Sequence, residues 1–214
     1  MNFVRWDWVG SHIGEIVQKL FQHVELAALS LLFGLIIAFP LALAAIRWPR
    51  FYTPLLAGTG VMFTIPSLAL FILLIPLTGL SITTSLIGLT IYTLLILFRN
   101  IVEGLRGVPR EVSEAARALG YSRSWQLLTV ELPIAIPVII AGIRIAAVTT
   151  IGLVTVTALI GQGGLGQLFI TGFTMHFRTP LLVGFVLSVA LAVAVDLFLV
   201  GIEYTLTPWN RGRR

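Results

Sequence analysis

The chain has 214 residues, of which 57% are hydrophobic and 11% are charged, and its formal net charge is +5. Soluble domains carry about 25% charged residues, so this composition excludes an ordinary water-soluble protein and predicts an integral membrane protein. Cysteine is absent, which excludes disulfides and thiolate metal sites.

The first predicted element is an N-terminal helix within residues 1–23. From Ser11 to Val24, apolar side chains recur at helical spacing with polar residues between them. This pattern is typical of an amphipathic helix that lies on a membrane surface. A helix packed along the edge of a membrane bundle would show the same pattern. In either case we expect the segment on the extracytoplasmic side.

Five apolar stretches follow that are long enough to cross a bilayer, which takes about 20 residues of helix. Because lipid offers no hydrogen-bond partners to the backbone, these stretches predict an all-α, polytopic membrane fold. The third stretch is the shortest and its ends are the least defined. The predicted transmembrane domain covers 24–205, with spans at about 24–46, 54–77, 83–98, 134–160 and 181–204.

Ten of the fourteen basic residues fall on one side of this predicted bundle. By the positive-inside rule that side is cytoplasmic, so we expect the N-terminus outside and the basic tail, 206–214, inside. This clustering explains the net positive charge without a nucleic-acid partner. The ten residues are Arg47, Arg50, Arg99, Arg106, Arg110, Arg117, Arg123, Arg211, Arg213 and Arg214.

The second predicted span is interrupted by Pro66, shortly after Phe63. A kink there frees backbone carbonyl groups, which is tolerable only against protein or a water-lined path. Aromatic rings such as those of Phe63, Phe71 and Tyr92 can offer cation–π faces to a quaternary ammonium group. Rings of this kind also serve simply to pack helices together, and the sequence leaves both roles open.

The longest polar stretch, about residues 102–132, is predicted to form a cytoplasmic loop between the third and fourth spans. Glu111 to Leu119 favours a helix, and Gly120 stands where a helix would stop. A second helical piece is predicted from Ser122 to Thr129. Composition alone indicates a solvated helical hairpin.

A glycine-rich segment, ALIGQGGLGQLF at residues 158–169, follows the fourth span. Its Gly-x-Gly-x-x-Gly spacing also occurs in dinucleotide sites, but those need a preceding strand and an acidic residue about 20 positions on. The next acidic residue is Asp196, and the charge distribution puts the segment on the outer side. We therefore predict a tight turn at an outer gate, either re-entrant or not, in which Gly161, Gly163, Gly164 and Gly166 permit close backbone approach.

Two charged residues, Arg144 and Asp196, lie deepest within predicted spans. Both are on the order of 15 Å from the cytoplasmic ends of their spans, so we predict that they pair, directly or through water. Ionisable residues at such depth are candidates for function. The pair could alternate with the transport state or be a static structural contact.

The sequence contains no residues arranged for catalysis. A P-loop needs Gly-x-x-x-x-Gly-Lys-Ser/Thr, and the single lysine, Lys19, is followed by leucine. His12, His23 and His176 do not have the spacing of metal ligands. We expect neither an enzymatic activity nor a metal or cofactor in this chain.

The polar loop resembles the "EAA" signature of importer-type ABC transporter permeases. The one departure is Val130, where isoleucine is usual. The matching residues are Glu114, Ala115, Ala116 and Gly120, and then, after nine residues, Val130, Leu132 and Pro133.

Within that family, the chain is most similar to permeases of osmoprotectant uptake systems for glycine betaine, choline, carnitine or proline betaine. The resemblance extends over about residues 24–204. The segments that carry it are FTIPSLALFILLIPL (63–77), ILFRNIVEGLRGVP (96–109), ELPIAIPVIIAGIRIAAV (131–148) and TALIGQGGLGQLF (157–169).

The resemblance implies an inner-membrane subunit of a larger complex. A second permease, identical or related, would pair with it, and separate cytoplasmic ATPases would hold ATP and magnesium. An extracytoplasmic binding protein would deliver the solute. Residues 114–120 and the Leu132-Pro133 step would couple the chain to the ATPase, and Phe63 and Pro66 would line the path.

Three alternatives remain at this stage. The first is an ABC permease for an amino acid such as methionine. The second is a small transporter or channel driven by ion gradients, and the third is a scaffold protein of the membrane.

Overall fold

The computed structural model describes residues 4–209, and every regular element in that range is helical. A π-helical turn, Leu127–Glu131, joins α7 to α8, and 3-10 turns occupy Pro49–Phe51 and Ala158–Ile160. The arginines of the predicted basic tail lie outside the described residues. The α-helices are α1 (Trp6–Ser11), α2 (Ile13–Arg47), α3 (Tyr52–Thr64), α4 (Ser67–Thr78), α5 (Ile82–Arg106), α6 (Arg110–Ala118), α7 (Arg123–Gln126), α8 (Leu132–Thr157), α9 (Gly166–Thr174) and α10 (Arg178–Leu206).

Four helical segments within residues 4–209 are long and apolar enough to cross a membrane. They are α2, α5, the segment Arg123–Ile160 that contains α8, and α10. The segments Pro49–Thr64 and Ser67–Thr78 make a fifth span if they are counted as one. The predicted all-α membrane fold with about five spans is therefore confirmed.

The predicted second span, 54–77, is divided into α3 and α4, whose segments are bent by 96° to each other. Ile65 and Pro66 are both extended, with ψ of 128° and 133°. Proline has no N–H and disfavours the helical conformation in the residue before it. The kink predicted at Pro66 is thus a complete break of the helix.

The N-terminal region differs from the predicted separate helix within 1–23. After the short α1, helix α2 begins at Ile13 and continues without interruption to Arg47. Residues 20–27, at the predicted boundary, contain no proline, glycine or typical N-cap residue that would end one helix and begin another. The helix therefore continues through them. Ile16 packs with Leu165 and Leu168 of the later chain, which corresponds to the alternative of a helix along the edge of the bundle.

The centre of the bundle is α5, packed between α2 and α8. Four small residues of α2, spaced three or four apart, face it: Gly34, Ala38, Ala42 and Ala45. A Cβ atom at Gly34 would lie 1.9 Å from Thr93 Oγ1, so the two helices are in close contact there. Small residues allow this approach in membrane proteins, where dispersion forces drive helix association.

The contact between α5 and α8 also has a small residue at a point of close approach. A Cβ atom at Gly142 of α8 would lie 2.3 Å from Cβ of Asn100 on α5. Gly152, further along α8, has no atom within 4 Å of its Cβ position. A Cβ atom at Gly104 of α5 would lie 3.2 Å from the Ala135 carbonyl oxygen of α8, so the helices approach closely at Gly104 and Gly142, while Gly152 is exposed.

Candidate coupling elbow and translocation path

Residues 107–131, which we name the elbow, contain α6, α7 and the π-helical turn. Helix α6 ends at Ala118, and Gly120 has a φ of +82°. The Gly120 N–H donates to the Arg117 carbonyl at 2.9 Å and the Tyr121 N–H donates to the Ala116 carbonyl at 3.2 Å. This pair of bonds is a Schellman motif, which terminates a helix at a left-handed glycine. The predicted helix and its stop at Gly120 are confirmed.

Glu114 lies on the exposed side of α6, where Arg110 Nε donates to its Oε1 at 2.8 Å. Ion pairs between exposed side chains one helical turn apart contribute little to stability. Ala116 is buried and Ala115 is exposed. The Glu114 carboxylate can therefore exchange its partner without loss of the fold. The buried Ala116 is on the side of α6 that packs against the rest of the protein.

A polar cluster attaches α6 to the start of α8, and the sequence reasoning missed it. Glu131 Oε1 accepts hydrogen bonds from Gln126 Nε2 at 2.6 Å and from Ser113 Oγ at 3.1 Å. Arg117 Nε donates to Gln126 Oε1 at 3.4 Å. Gln126 is 3% exposed. Both the nitrogen and the oxygen of this buried side chain have hydrogen-bond partners, which holds the cluster in one arrangement.

The cluster is continuous with the core of the bundle. Glu131 is followed directly by Leu132 and Pro133, the first residues of α8. Leu132 packs on the core cluster that contains Ala135 and Ile139. Hydrogen bonds and packed side chains therefore connect α6 to α8 without a break.

The elbow also exposes large apolar side chains around its glycine stop. Leu119 is 78% exposed, and Trp125 and Leu128 are 57% exposed. Such a group on a polar segment is typical of a surface that a partner protein covers.

The break at Pro66 is held by an aromatic side chain. Tyr92 of α5 donates its hydroxyl hydrogen to the Ile65 carbonyl. Its ring makes an edge-to-face contact with Phe63, with the centroids 5.8 Å apart. Phe71, in contrast, is fully buried against Gly88. Of the three rings considered from the sequence, Phe63 and Tyr92 meet at the break and Phe71 is part of the core.

The glycine loop, residues 161–166, is wedged between α2 and α8. A Cβ atom at Gly163 would lie 2.7 Å from the Val154 carbonyl oxygen, and one at Gly166 would lie 2.4 Å from the Thr155 carbonyl oxygen. A Cβ atom at Gly164 would lie 2.6 Å from the His23 backbone nitrogen. These glycines are present because backbone touches backbone at each of them.

The two intramembrane charges form a bidentate pair, as predicted from their matching depth. Arg144 Nε donates to Asp196 Oδ1 at 2.7 Å, and its Nη2 donates to Oδ2 at 2.9 Å. Glu203, also on α10, has a carboxylate oxygen 3.8 Å from Arg144 Nη1. Parallel hydrogen bonds of this type are strong and directional. They join α8 to α10.

The predicted site residues therefore do not converge on one centre. The elbow lies at the start of α8 and the glycine loop at its end, about 39 Å apart at 1.5 Å per residue over 26 residues. Arg144 is midway between them along α8. The predicted coupling residues, charged pair and glycines are thus spread along the whole length of α8.

Comparison with known proteins gives a family match over most of the chain. Residues 30–206 match the family model described as "Binding-protein-dependent transport system inner membrane component".

Among curated relatives, the choline transport system permease protein OpuBB of Bacillus subtilis is 32% identical, covering 91% of this chain and 90% of that protein. The osmoprotectant import permease protein OsmW of Salmonella typhimurium is 36% identical, covering 91% and 93%. The carnitine transport permease protein OpuCB of Listeria monocytogenes is 35% identical, covering 90% and 88%.

Solved structures share the fold at lower identity. An inward-facing MetNI methionine ABC transporter gives a TM-score of 0.79 at 22% identity, covering 90% of this chain and 96% of that chain. An amino acid ABC transporter solved with histidines gives 0.73 at 17% identity, covering 96% and 98%. The chain therefore belongs to the binding-protein-dependent transport system inner membrane components, the multi-pass permease subunits of ABC importers.

Proposed function

We propose that this permease carries osmoprotectants, namely choline, glycine betaine, carnitine or related quaternary ammonium compounds. The observation that carries the proposal is the identity of 32–36% over about nine tenths of the chain with permeases named for choline, osmoprotectant and carnitine transport. The methionine transporter is similar at 22% identity. An amino acid as cargo is therefore the second candidate.

The chain works as one subunit of a complex. Separate ATPase chains bind ATP and magnesium, a second permease completes the membrane part, and a binding protein delivers solute from outside. ATP binding shifts the permease between inward-facing and outward-facing states only through contacts that differ between those states. The elbow is the part of this chain that makes such contacts.

The orientation follows from the distribution of arginine. With the arginine-rich side in the cytoplasm, the elbow faces the ATPase and the glycine loop faces outward. The exposed Leu119, Trp125 and Leu128 then form the apolar part of the ATPase contact, and Glu114 forms the charged part.

The translocation path passes the Pro66 break and ends at the glycine loop. Two features support this path. The 96° bend at Pro66 interrupts helical hydrogen bonding, which membrane proteins tolerate where backbone lines a cavity. The glycine loop is packed on both α2 and α8, so movement of either helix alters the outer gate at Gly161, Gly163, Gly164 and Gly166.

Uptake of radiolabelled choline by cells with the complete complex tests the function and its coupling. Glu114→Lys and Gly120→Trp are expected to abolish most uptake while leaving the amount of permease in the membrane unchanged. The first change reverses the charge on the ATPase contact. The second places a large side chain at a left-handed glycine in the centre of that contact.

Matched controls are available outside the elbow. Glu103 forms an exposed ion pair with Arg99 one turn earlier, as Glu114 does with Arg110, so Glu103→Lys reproduces the Glu114 change. Gly79 has a φ of +72° and an open Cβ position, so Gly79→Trp is the control for Gly120→Trp. Unchanged uptake in both elbow variants would contradict the coupling role. Uptake that persists without the ATPase would favour the ion-gradient alternative.

A further inference from the structure

A cavity of about 250 Å³ lies where the glycine loop meets α2. Gln22 and Glu25 of α2 line one side, and Gln162 and Gln167 line the other. Leu26 of α2 is among the apolar residues of the wall. Pockets for drug-sized ligands start at about 300 Å³, so this cavity suits a smaller solute.

Glu25 gives the cavity its charge. It is the ionisable residue among those that line the wall. Within residues 4–209 it has neither an ion pair nor a side-chain hydrogen bond, whereas Glu15 on the same helix is 3.3 Å from Lys19 Nζ. Glu25 is exposed and stands at the outer end of the predicted first span, 24–46, where a solute that arrives from outside would meet it. An unpaired carboxylate in a cavity favours occupation by a cation.

The remaining wall is mixed, with the side-chain amides of Gln22, Gln162 and Gln167 beside Leu26 and Leu29. Amide oxygens can also accept from a primary ammonium group, so the choice of a quaternary one comes from the proposed cargo. A methylated quaternary ammonium has no N–H, so it leaves no donor unpaired when it is desolvated. One carboxylate neutralises its charge, and the side chains of Leu26 and Leu29 accommodate its methyl groups.

The wall on the loop side is preformed. Gln167 Nε2 donates to the Gln162 carbonyl at 3.3 Å, which fixes the side chain of Gln167 across the loop. Gly163 and Gly164 are packed on α8 and α2. Gly161, in contrast, has no atom within 4 Å of its Cβ position, so the loop is open at the edge of the cavity.

We propose that this cavity is a transient site that receives the quaternary ammonium group of the solute at the outer gate, with Glu25 as its counter-ion. The proposal rests on the proposed function, including its orientation. It assigns to the permease a contribution to the selection of cationic solutes, through the electrostatic field of one carboxylate.

Because the chain has no cysteine, a single introduced cysteine reports on this field directly. Gln22→Cys in the intact complex is treated from outside with two thiosulfonate reagents, one carrying a trimethylammonium group and one a sulfonate. Gln22 and Glu25 are three residues apart on one helix face, about 5–6 Å between Cβ atoms. Adding Glu25→Gln should lower the ratio of cationic to anionic reaction rates at least about fivefold.

Choline should also slow the cationic reagent in the Gln22→Cys complex. The control, Gln18→Cys, is one turn earlier on α2 and outside the residues that line the cavity. There, Glu25→Gln should change the ratio less than about twofold, because water screens the more distant charge. Gln162→Cys on the opposite wall repeats the measurement if Gln22→Cys does not assemble. An unchanged ratio at both wall positions, or no labelling at either, overturns the proposal.

Uptake gives the second readout and separates the two proposals. Glu25→Gln should raise the KM for choline about three- to tenfold with the maximal rate maintained, and Glu15→Gln should leave both unchanged. If the unaltered complex takes up no quaternary ammonium compound, the proposed function is wrong. If it takes up choline and Glu25→Gln leaves the KM unchanged, the cavity site alone is wrong.

Discussion

Replacing Gly164 by alanine would force the glycine loop away from α2, whereas the same change at Gly161 would not. Both glycines have positive φ, +50° and +80°. A Cβ atom at Gly164 would lie 2.6 Å from the His23 nitrogen and from the Lys19 carbonyl oxygen, while Gly161 has no atom within 4 Å. The obstructing atoms belong to a helix backbone and cannot rotate aside.

The difference in stability between the two variants follows from these contacts. A left-handed conformation costs a residue other than glycine about 1–2 kcal/mol, and this term applies to both. Overpacking adds about 1–3 kcal/mol at Gly164 only. At about 2–4 °C per kcal/mol for a chain of this size, Gly164→Ala should melt about 2–12 °C below Gly161→Ala.

Thermal unfolding of the purified chain in detergent, followed by circular dichroism at the helical band, measures this difference. The two variants are matched in side chain, loop and sign of φ, so the contact with α2 is what separates them. Equal melting temperatures, or a lower one for Gly161→Ala, would show that the loop does not rest on α2 as described.

Three further predictions concern the membrane helices. Arg144→Asp or Asp196→Arg alone should reduce the amount of assembled permease severalfold, because each change puts two like charges side by side. The double exchange should restore only part of the amount, because Glu203, 3.8 Å from Arg144, would then face a second carboxylate. Fluorescence of a fused reporter measures the amount, and silent single variants would contradict the pairing. Tyr92→Phe should cost about 1–3 kcal/mol, because the carbonyl at the helix break loses its donor, and an unchanged melting temperature would argue against that bond. Gly142→Ala should destabilise the protein by about 1–3 kcal/mol through overpacking. Gly152→Ala should stabilise it by about 0.5–1 kcal/mol, because alanine lowers the backbone entropy of the unfolded chain. The reverse order of melting temperatures would exclude the described contact between α5 and α8.

The sequence predicts those features that depend on local chemistry. Gly120 ends α6 because a left-handed residue is needed there, and glycine adopts that conformation at little cost. The pairing of Arg144 with Asp196 could be predicted because equal depth in a membrane brings two opposite charges to one level. The long apolar stretches predict spans because lipid permits little else.

Features that depend on packing between distant segments could not be predicted. The apolar pattern of residues 11–24 is the same whether the segment lies on a membrane or continues the first span, and only the later residues Leu165 and Leu168 distinguish these cases by packing on Ile16. Glu131 and Gln126 are unremarkable polar residues in sequence, and their cluster exists because α6 folds back over the π-helical turn. The cavity at Glu25 likewise needs α2 and the glycine loop together.

His23 binds three parts of the outer end into one unit. Its Nε2 is 2.9 Å from the Ile151 carbonyl oxygen on α8, and its backbone nitrogen supports Gly164. Sliding of α2, α8 and the loop past one another would break both contacts at once, at a side chain that is fully buried. Under the proposed function, α2, α8 and the loop are therefore expected to move as one block when the outer side opens, and the 96° break at Pro66 is the expected place of the hinge.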